Sequence, residues 1–348
     1  MTDAQAPTLA DLTTFRVGGP ARRVLEPADE ASLIDAVTAC DAAGEPVLLV
    51  GGGSNLVVSD AGFPGTVIRL NALKGIDAED VMACSGAFLR VAAGEPWDNV
   101  VAHCVANRFV GVEALSGIPG LAGATPIQNV GAYGQEVSQV LARVRAYDRF
   151  ERRVRTFSVT ECGFGYRHSR FKDEPARWVV LSINLQLRLG PDSAPLRYGE
   201  LARHLGVEPG GRAPLADTRQ AVLDLRRAKG MVLDAADHDT WSAGSFFTNP
   251  ILSAEQAAAL PADAPRYPAG DQVKSSAAWL IEHAGFHKGY GTPPATLSTK
   301  HTLALTNRGG ARASDVLALA REIRDGVEAA FGVRLVPEPF LVGCSLES

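Results

Sequence analysis

Over residues 179–189 an aliphatic side chain occupies every odd-numbered position, and the even-numbered positions other than Val180 are polar. A period of two is typical of a β-strand that buries one of its faces. The pattern therefore predicts a long, half-buried strand over residues 179–189.

Other segments show helical spacing. Apolar residues recur every three or four positions over residues 31–42 and 97–108, which indicates amphipathic helices. A helix is also predicted near residues 218–229. A further helix is predicted from Ser314 to about Ala330, with Ser314 as its N-cap. Together with the strand, these helices predict a fold that mixes α and β elements.

The chain is too long for one compact core. Its 348 residues suggest two or three domains. The Gly- and Pro-rich segment 205–217 is the best candidate for a boundary between them.

Composition and charge narrow the class of protein. Hydrophobic residues make up 46% and charged residues 21% of the chain, as in ordinary globular proteins. The net charge of −5 offers no attraction for nucleic acid or an acidic membrane. No apolar run approaches the ~18 residues of a membrane span, and the first residues show no signal peptide. We expect a cytoplasmic protein with neither partner.

The five cysteines are scattered, without Cys-x-x-Cys or Cys–His spacing. Such a set is typical of reduced thiols in the cytoplasm, and we expect no metal site.

The first candidate site is the glycine run at residues 51–55. A short apolar strand, 47–50, leads into Gly-Gly-Gly-Ser-Asn, whose unhindered N–H groups suit a pyrophosphate. It is not the fingerprint Gly-x-Gly-x-x-Gly, because Leu56 stands where the last glycine is required. A plain tight turn is the alternative.

A second glycine-dense stretch covers residues 111–136, with Ile, Leu, Val and Tyr interleaved. Glycines spaced in this way allow a backbone to approach another group closely. The amides of Gln128 and Asn129 add donors and acceptors, and a flavin ring needs both properties. Two such segments favour a cofactor site, although structural turns remain the alternative.

Three further positions carry candidate chemistry. Arg167, Arg170 and Lys172 form a basic cluster suited to a carboxylate, unless it is a solvated loop. Glu338 lies between prolines and apolar neighbours, where desolvation would raise its pKa, unless it is an ordinary edge-strand glutamate. Ser245 lacks the Gly-x-Ser-x-Gly elbow and a nearby base, so its hydroxyl is better suited to donating a proton than to attacking.

In this order the segments resemble the UDP-N-acetylenolpyruvoylglucosamine reductases, the MurB family of peptidoglycan synthesis. The motifs that carry the resemblance are TTFRVGGPA (13–21), GGGSN (51–55), IPG (118–120), PIQNVGAYG (126–134), FGYRHSRFK (164–172), GSFFTNP (244–250), WLIEHAGFHKGY (279–290) and VPEP (336–339).

The resemblance implies an α+β flavoprotein of three domains, two of which bind FAD as in the vanillyl-alcohol-oxidase group. The expected domains are 1–72 and 73–212 for FAD, the second joined by the tail 336–348, and 213–335 for substrate. No histidine or cysteine lies near the first glycine loop, so we expect non-covalent FAD.

The resemblance also implies a reaction: NADPH reduces FAD, and hydride from the flavin N5 then adds to the methylene carbon of UDP-N-acetylglucosamine enolpyruvate. The product is UDP-N-acetylmuramate. Negative charge spreads into the substrate carboxylate as an enolate, which must be stabilised and protonated. We expect a monomeric NADPH-dependent oxidoreductase.

Residue roles follow from the motifs. Arg167 matches the residue that faces the substrate carboxylate, Glu338 the one that stabilises the enolate as a neutral acid, and Ser245 the proton donor. The residues expected to contact substrate or NADPH are Tyr198 (on a mobile loop), Lys229, Asn249 and Lys274. The residues expected to bind the cofactor are Gly51, Gly52, Gly53, Ser54, Asn55, Ser116, Gly117, Pro119, Gly120, Gln128, Asn129, Gly131 and Tyr133.

One departure is Phe340, which stands where many members carry a basic residue. Alternatives are another FAD-dependent oxidase of alcohols or lactones, a flavin-binding protein without turnover, or a serine hydrolase.

Overall fold

The computed structural model describes residues 8–347. Within this range the α-helices are α1 (Glu30–Ala42), α2 (Trp97–Ala106), α3 (Arg170–Asp173), α4 (Gly199–His204), α5 (Leu215–Ala228), α6 (Ala254–Ala259), α7 (Ala277–His283) and α8 (Ala313–Phe331). The strands are β1 (Ala21–Leu25), β2 (Val47–Val50), β3 (Leu56–Val58), β4 (Phe63–Arg69), β5 (Ile76–Met82), β6 (Gly86–Ala92), β7 (Phe109–Val110), β8 (Gly131–Ala132), β9 (Gln135–Glu136), β10 (Leu141–Asp148), β11 (Arg153–Ser158), β12 (Trp178–Leu189), β13 (Ile251–Leu252), β14 (Tyr267–Ala269), β15 (Gln272–Lys274), β16 (Gly291–Thr292), β17 (Ala295–Leu297), β18 (Leu305–Asn307) and β19 (Phe340–Val342). The predicted mixture of α and β elements is confirmed.

The chain forms two compact units. Unit 1 comprises residues 8–22, 53–64 and 229–347 of the described chain, and unit 2 comprises residues 23–52 and 65–228. The predicted boundary segment 205–217 lies inside unit 2, because it folds back onto the loop before it. There Ser193 N–H donates to the carbonyl of Ala213 and Leu196 N–H donates to that of Gly211, each at 2.8 Å.

Unit 2 is built on an antiparallel sheet of order β11-β10-β12-β6-β5. The predicted strand 179–189 is confirmed as the central strand β12, but the expectation of one buried face is wrong. Residues 178–185 are buried throughout, because apolar side chains cover both faces. Leu181 packs in one core cluster, while Val180 and Ile183 pack in the other.

A β-bulge explains why the alternation changes face. In the pairing of β10 with β12, Arg145 lies opposite Ser182 and Ala146 lies opposite Val180, so Leu181 is an extra residue. A bulge shifts the side chains beyond it to the opposite face. Odd-numbered residues before and after Leu181 therefore enter different cores.

The predicted helices of unit 2 are confirmed as α1, α2 and α5, with small shifts at their ends. Helix α1 begins with a capping box in which the Asp29 carboxylate accepts from Ser32 N–H and Ser32 Oγ accepts from Asp29 N–H. Such a cap satisfies N–H groups that have no partner in the first turn.

Unit 1 has one large apolar core, to which α7, α8 and the short strands contribute. The predicted helix near Ser314 is confirmed as α8, but Ser314 is not its N-cap. The helix begins at Ala313, and the Asp60 carboxylate accepts from the N–H groups of Ala313 and Ser314 at 2.7 and 3.1 Å. A carboxylate from a distant segment thus caps α8 and interacts favourably with its dipole.

The C-terminal residues of the described chain also belong to unit 1. Strand β19 pairs in parallel with β3, with Phe340 opposite Leu56, and Leu346 packs in the same core. The prediction grouped 336–348 with 73–212, whereas these contacts join the tail to residues 53–64. The three-domain division stays a prediction, and its residues 1–7 and 348 lie outside the described chain.

Between residues 8 and 347 no helix has the length and apolar character needed to span a membrane. All five cysteines are free thiols, and burial raises the pKa of Cys104 and of Cys162 to about 12.

Candidate functional site

The two glycine segments lie side by side in unit 2. A Cβ atom on Gly52 would stand 2.7 Å from Cα of Gly120, and one on Gly51 would meet Leu121 at 3.4 Å. Only glycine at position 52 permits this approach of two backbones. Gly120, next to Pro119, accepts at its carbonyl from Trp97 N–H at 3.0 Å. The segments that we expected to flank one cofactor are therefore neighbours.

Gly53 meets a different requirement in unit 1. Its φ is +62°, and a Cβ atom there would stand 1.9 Å from the Leu12 carbonyl oxygen. Ser54 and Asn55 follow, and the Asn55 amide donates to the carbonyl of Glu338 at 3.3 Å. Gly53 is thus required by the adjacent chain, and Asn55 connects the turn to the Glu338 segment.

Hydrogen bonds to Asp98 fix the start of the second stretch. Gly117 N–H donates to Asp98 Oδ1 at 2.6 Å, and Arg219 donates to both oxygens at 2.7 and 2.8 Å. Burial alone would raise the pKa of Asp98, but these hydrogen bonds and the positive charges outweigh it and lower the pKa. The neighbouring Ser116 hydroxyl is buried and donates to the carbonyl of Glu113 at 2.7 Å.

Glu113 is a residue that sequence reasoning missed. It is fully buried and accepts from Gly111 N–H at 2.7 Å, Gln135 Nε2 at 2.9 Å and Ala194 N–H at 2.6 Å. One carboxylate therefore connects the glycine stretch, the β8–β9 hairpin and the loop before Tyr198. A glutamate inside the apolar run Gly-Val-Glu-Ala-Leu was the available signal, because a buried charge needs partners.

Five non-glycine residues of unit 2 have positive φ. Arg108 (58°) and Arg152 (53°) lie in turns before strands, whereas Asn129 (48°), Tyr133 (49°) and Arg167 (53°) are predicted site residues. Such conformations cost free energy and concentrate at functional sites. The buried Asn129 amide donates to Glu136 Oε2 at 2.9 Å and to the Gly165 carbonyl at 3.1 Å. It thereby joins the hairpin to the Arg167 segment.

Arg167 contacts the glycine stretch, and the other basic residues do not share this contact. Its Nη2 donates to the carbonyl of Gly131 at 2.8 Å. Lys172 donates to the Arg167 carbonyl at 2.9 Å, and Arg170 lies over the Phe157 ring, 5.1 Å from its centroid. The exposed His168 pairs with Asp173 at 3.3 Å. Of the predicted cluster, Arg167 is the member placed at the hairpin.

Tyr133 and Tyr198 are in contact. Their ring centroids lie 5.4 Å apart, edge to face, and Tyr198 directly precedes α4 with 44% of its surface exposed. Burial raises the pKa of Tyr133 to about 12 despite the charge of nearby Arg226. The Tyr133 hydroxyl is therefore a hydrogen-bond donor at neutral pH. Gln128 lies half-buried between Ile127 and Asn129.

Ser245 and Glu338 lie on adjacent extended segments of unit 1. Glu338 N–H donates to the carbonyl of Phe246 at 2.8 Å, and Thr248 N–H donates to that of Val336 at 3.0 Å. Phe246 and Phe247 are buried and anchor the first segment in the core. The structure therefore brings two of the three predicted catalytic residues together, while Arg167 belongs to unit 2.

The predicted substrate residues of unit 1 occupy three places. Lys229 directly follows α5, and the Asn249 amide oxygen accepts from Ala277 N–H at 3.0 Å. Lys274 on β15 lies opposite Ile251 on one side and Tyr267 on the other, and directly opposed residues share a face. Tyr267, which sequence reasoning missed, thus stands beside Lys274 with an exposed ring.

Family models match two parts of the chain. Residues 21–155 match the model described as FAD binding domain. Residues 235–342 match the C-terminal domain of UDP-N-acetylenolpyruvoylglucosamine reductase. The expected FAD-binding and substrate regions thus each have a counterpart in a known family.

Curated relatives are similar over nearly the full length. The UDP-N-acetylenolpyruvoylglucosamine reductase of Cutibacterium acnes is 54% identical, covering 97% of this chain and 90% of the relative. That of Streptomyces coelicolor is 56% identical with the same coverage. The crystal structure of UDP-N-acetylenolpyruvylglucosamine reductase (MurB) from Thermus caldophilus matches with a TM-score of 0.67 at 25% identity, covering 97% of both chains. The chain therefore belongs to the UDP-N-acetylenolpyruvoylglucosamine reductase family.

Proposed function

We propose that this protein uses NADPH and FAD to reduce UDP-N-acetylglucosamine enolpyruvate to UDP-N-acetylmuramate, a step of peptidoglycan precursor synthesis. The similarity to reductases of that name covers 97% of the chain. The structural observation that carries the proposal is the pairing of the Ser245 and Glu338 segments, through the 2.8 Å hydrogen bond from Glu338 N–H to Phe246. This pairing supports the assignment of Ser245 as a proton donor and of Glu338 as an acid that act on the same substrate group.

The residues of unit 2 fit a flavin. At Gly52 and Gly120 the backbones approach without side chains, and such surfaces suit a cofactor's phosphates and ring. In unit 2 we assign FAD binding to Gly51, Gly52, Ser116, Gly117, Pro119, Gly120, Gln128, Asn129, Gly131 and Tyr133. The other predicted cofactor residues, Gly53, Ser54 and Asn55, belong to unit 1. When bound, FAD carries hydride from NADPH to the methylene carbon of the enolpyruvyl group.

Arg167 is assigned to the substrate carboxylate. Its positive φ sets the direction in which the side chain leaves the backbone, and the hydrogen bond from Nη2 to the Gly131 carbonyl holds the guanidinium, so little rotational freedom is lost on binding. A guanidinium is always charged and donates in a fork that matches a carboxylate. Arg167 thereby stabilises negative charge that develops on the carboxylate during reduction.

Glu338 and Ser245 are assigned to the enolate. Glu338 as a neutral acid donates a hydrogen bond to the enolate, a role that a protonated carboxylic acid fills in related chemistry. The Ser245 hydroxyl gives its proton to the substrate carbon, a short transfer when water is excluded.

Tyr198, Lys229, Asn249 and Lys274 are assigned to the nucleotide part of the substrate and to NADPH. Lysines suit phosphate groups as point charges. The exposed Tyr267 ring beside Lys274 suits a flat base. We further infer that Tyr198 lies on a mobile loop, that FAD is bound non-covalently, and that the protein is a cytoplasmic monomer of three domains.

Anaerobic stopped-flow kinetics of the two half-reactions tests this function. NADPH should bleach the flavin, and the enolpyruvyl sugar nucleotide should restore its colour. In Ser245→Ala we expect reduction to remain nearly intact and reoxidation by substrate to slow by roughly 10²- to 10⁴-fold, the range for a lost general acid. Ser253→Ala, which removes the N-cap of α6, is the matched control and should leave both rates unchanged.

Equal damage to both half-reactions in Ser245→Ala would contradict the proton-donor role. A wild-type flavoprotein that never reoxidises with this substrate would contradict the proposed reaction. Yellow colour in an acid precipitate would contradict non-covalent binding and favour an oxidase of the covalent type.

A further inference from the structure

Thr14 contacts two segments of unit 1 that carry predicted site residues. Its backbone N–H donates to the carbonyl of Gly53 at 3.1 Å, and its hydroxyl donates to the carbonyl of Ser242 at 2.6 Å. Gly53 belongs to the glycine run, and Ser242 precedes Ser245 by three positions. One residue near the N-terminus therefore joins both segments.

The contact with the glycine run is close. Gly53 packs against the carbonyl of Leu12 and Cα of Thr13, which lie 1.9 and 2.8 Å from the place where its Cβ would stand. No side chain fits there, so residues 12–14 and the glycine turn have one relative position. These contacts hold the backbone of Thr14 in place independently of its hydroxyl.

The contact with Ser242 determines how the chain enters Ser245. Ser242 Oγ accepts from Gly244 N–H at 3.1 Å, and Gly244 has φ of +76°, so residues 242–244 form a tight turn. On the far side, Phe246 N–H donates to the carbonyl of Leu303 at 2.7 Å. Ser245 is therefore held from both ends, and at its N-terminal end the Thr14 hydroxyl adds a hydrogen bond from outside the turn.

Neighbouring contacts keep the N-terminal segment in place. The Arg16 guanidinium lies over the Trp241 ring, 3.7 Å from its centroid. The Asn307 amide donates to the carbonyls of Phe15 and Arg16, both at 3.1 Å. Phe15 is fully buried. Loss of the Thr14 hydroxyl should therefore leave the segment folded and release only the Ser242 carbonyl.

We propose that Thr14 is a positioning residue for the proton donor: its hydroxyl fixes the Ser242–Gly244 turn and so places Ser245 relative to the Gly53 turn. The inference rests on the proposed role of Ser245. Displacing a reacting group by about 1 Å costs up to ~100-fold in rate, so a single hydrogen bond at this point has a measurable effect.

Thr14→Val and Thr14→Ser test the proposal, because valine keeps the shape without the donor and serine keeps the donor. In Thr14→Val, reoxidation by the enolpyruvyl sugar nucleotide should slow roughly 10- to 100-fold, with reduction by NADPH within about threefold of wild type. Thr14→Ser should restore reoxidation. Thr8→Val removes a hydroxyl that donates to Asp11 on the surface and should change neither rate.

Hydrogen–deuterium exchange on the FAD-free protein gives a readout that does not depend on turnover. Peptides covering residues 241–247 should exchange faster in Thr14→Val than in wild type, and Thr14→Ser should return them to the wild-type rate. Unchanged exchange in Thr14→Val would overturn the proposal. So would a uniform rise across unit 1, because that would show general destabilisation.

The kinetic outcomes distinguish the two proposals. If Ser245→Ala leaves reoxidation unaffected, the proposed function of Ser245 fails. If Ser245→Ala slows reoxidation but Thr14→Val does not, the role of Thr14 alone is overturned. Slow reoxidation in both, with rescue by Thr14→Ser, supports the positioning role.

Discussion

The two units position their candidate site residues by different means. In unit 2, buried polar side chains such as Glu113 and Asn129 connect the segments, and glycines let backbones approach. In unit 1, main-chain hydrogen bonds join the extended segments of Ser245 and Glu338, and the Thr14 hydroxyl adds one side-chain bond to the Ser242 carbonyl. Main-chain bonds survive most substitutions, whereas a buried carboxylate that loses an oxygen leaves N–H groups unpaired. The unit 2 site should therefore be the more fragile.

The largest effect on stability is expected at Gly52. In Gly52→Ala the new Cβ meets backbone of Gly120, which has no side chain to rotate away, so we expect a loss of about 1–3 kcal/mol and weak FAD binding. Urea unfolding and FAD titration measure these effects. Gly190→Ala is the control, because its Cβ would make one ordinary contact, with Val110 at 3.5 Å. Equal behaviour of the two variants would contradict the close approach.

The next largest effect on stability is expected for Glu113→Gln. The amide replaces one acceptor oxygen by a donor that faces a buried N–H group, which should cost about 1–3 kcal/mol of unfolding free energy. The double variant Glu113→Gln/Gln135→Glu reverses the polarity of the Glu113–Gln135 hydrogen bond and should recover part of the loss. If Glu113→Gln unfolds at the wild-type urea concentration, the claim that this carboxylate supports unit 2 is wrong.

Asp239 tests the comparison between the two units, because it is a buried carboxylate that belongs to unit 1. It accepts from Thr299 N–H at 2.9 Å, Thr299 Oγ1 at 2.6 Å and Arg308 at 2.8 Å. Burial alone would raise the pKa of Asp239, but these hydrogen bonds and the charge of Arg308 outweigh it and lower the pKa. We expect Asp239→Asn to lose roughly 1–2 kcal/mol at pH 7.

The pH dependence of that loss has a definite sign. Because the pKa is lower in the folded chain, the stabilising effect of the carboxylate is complete above the ordinary pKa of 3.8 and disappears as pH falls through the folded value. The difference between wild type and Asp239→Asn in urea unfolding should therefore shrink below pH 4, roughly. Asp263 is exposed, so Asp263→Asn should differ little from wild type in urea unfolding, both at neutral pH and below about pH 4.

The smallest effect is expected at Phe340, a residue that is 51% exposed. Its N–H donates to the carbonyl of Asn55 at 2.9 Å, and this bond does not depend on the side chain. Phe340→Arg, which introduces a basic residue at this exposed position, should change the unfolding free energy by less than about 0.5 kcal/mol. A large destabilisation would show that side chains, and not only the backbone, support the Glu338 segment.

Hydrophobic periodicity predicted the main elements because burial dictates it, but it did not predict the faces of β12. The bulge at Leu181 depends on how β10 pairs, and that pairing leaves no trace in the alternation of one strand. The N-cap of α8 was misplaced for a similar reason. Asp60 is remote in sequence, so no local pattern identifies it.

The candidate sites were visible from sequence to different degrees. Glycine density marked residues 111–136, because a close backbone approach requires glycine. The proximity of Ser245 and Glu338 had no local signal, since it arises from main-chain pairing of distant segments, and only the family motifs pointed to it. Glu113 was missed, because its three partners come from separate parts of the chain.

The order in which the segments of unit 1 are synthesised has a consequence for folding in the cell. Unit 2 is complete once residue 228 has left the ribosome, whereas unit 1 combines residues 8–22 and 53–64 with residues from 229 onward. The hydrogen bond from Thr14 to Ser242 can form only after Ser242 has been synthesised, and β3 can pair only after β19 has been synthesised. Until then the early segments remain exposed, and long-range pairing of this kind is slow and prone to aggregation. Nascent chains that end before residue 342 should therefore contain a folded unit 2, but the segments that carry Ser245 and Glu338 should not yet have their native arrangement.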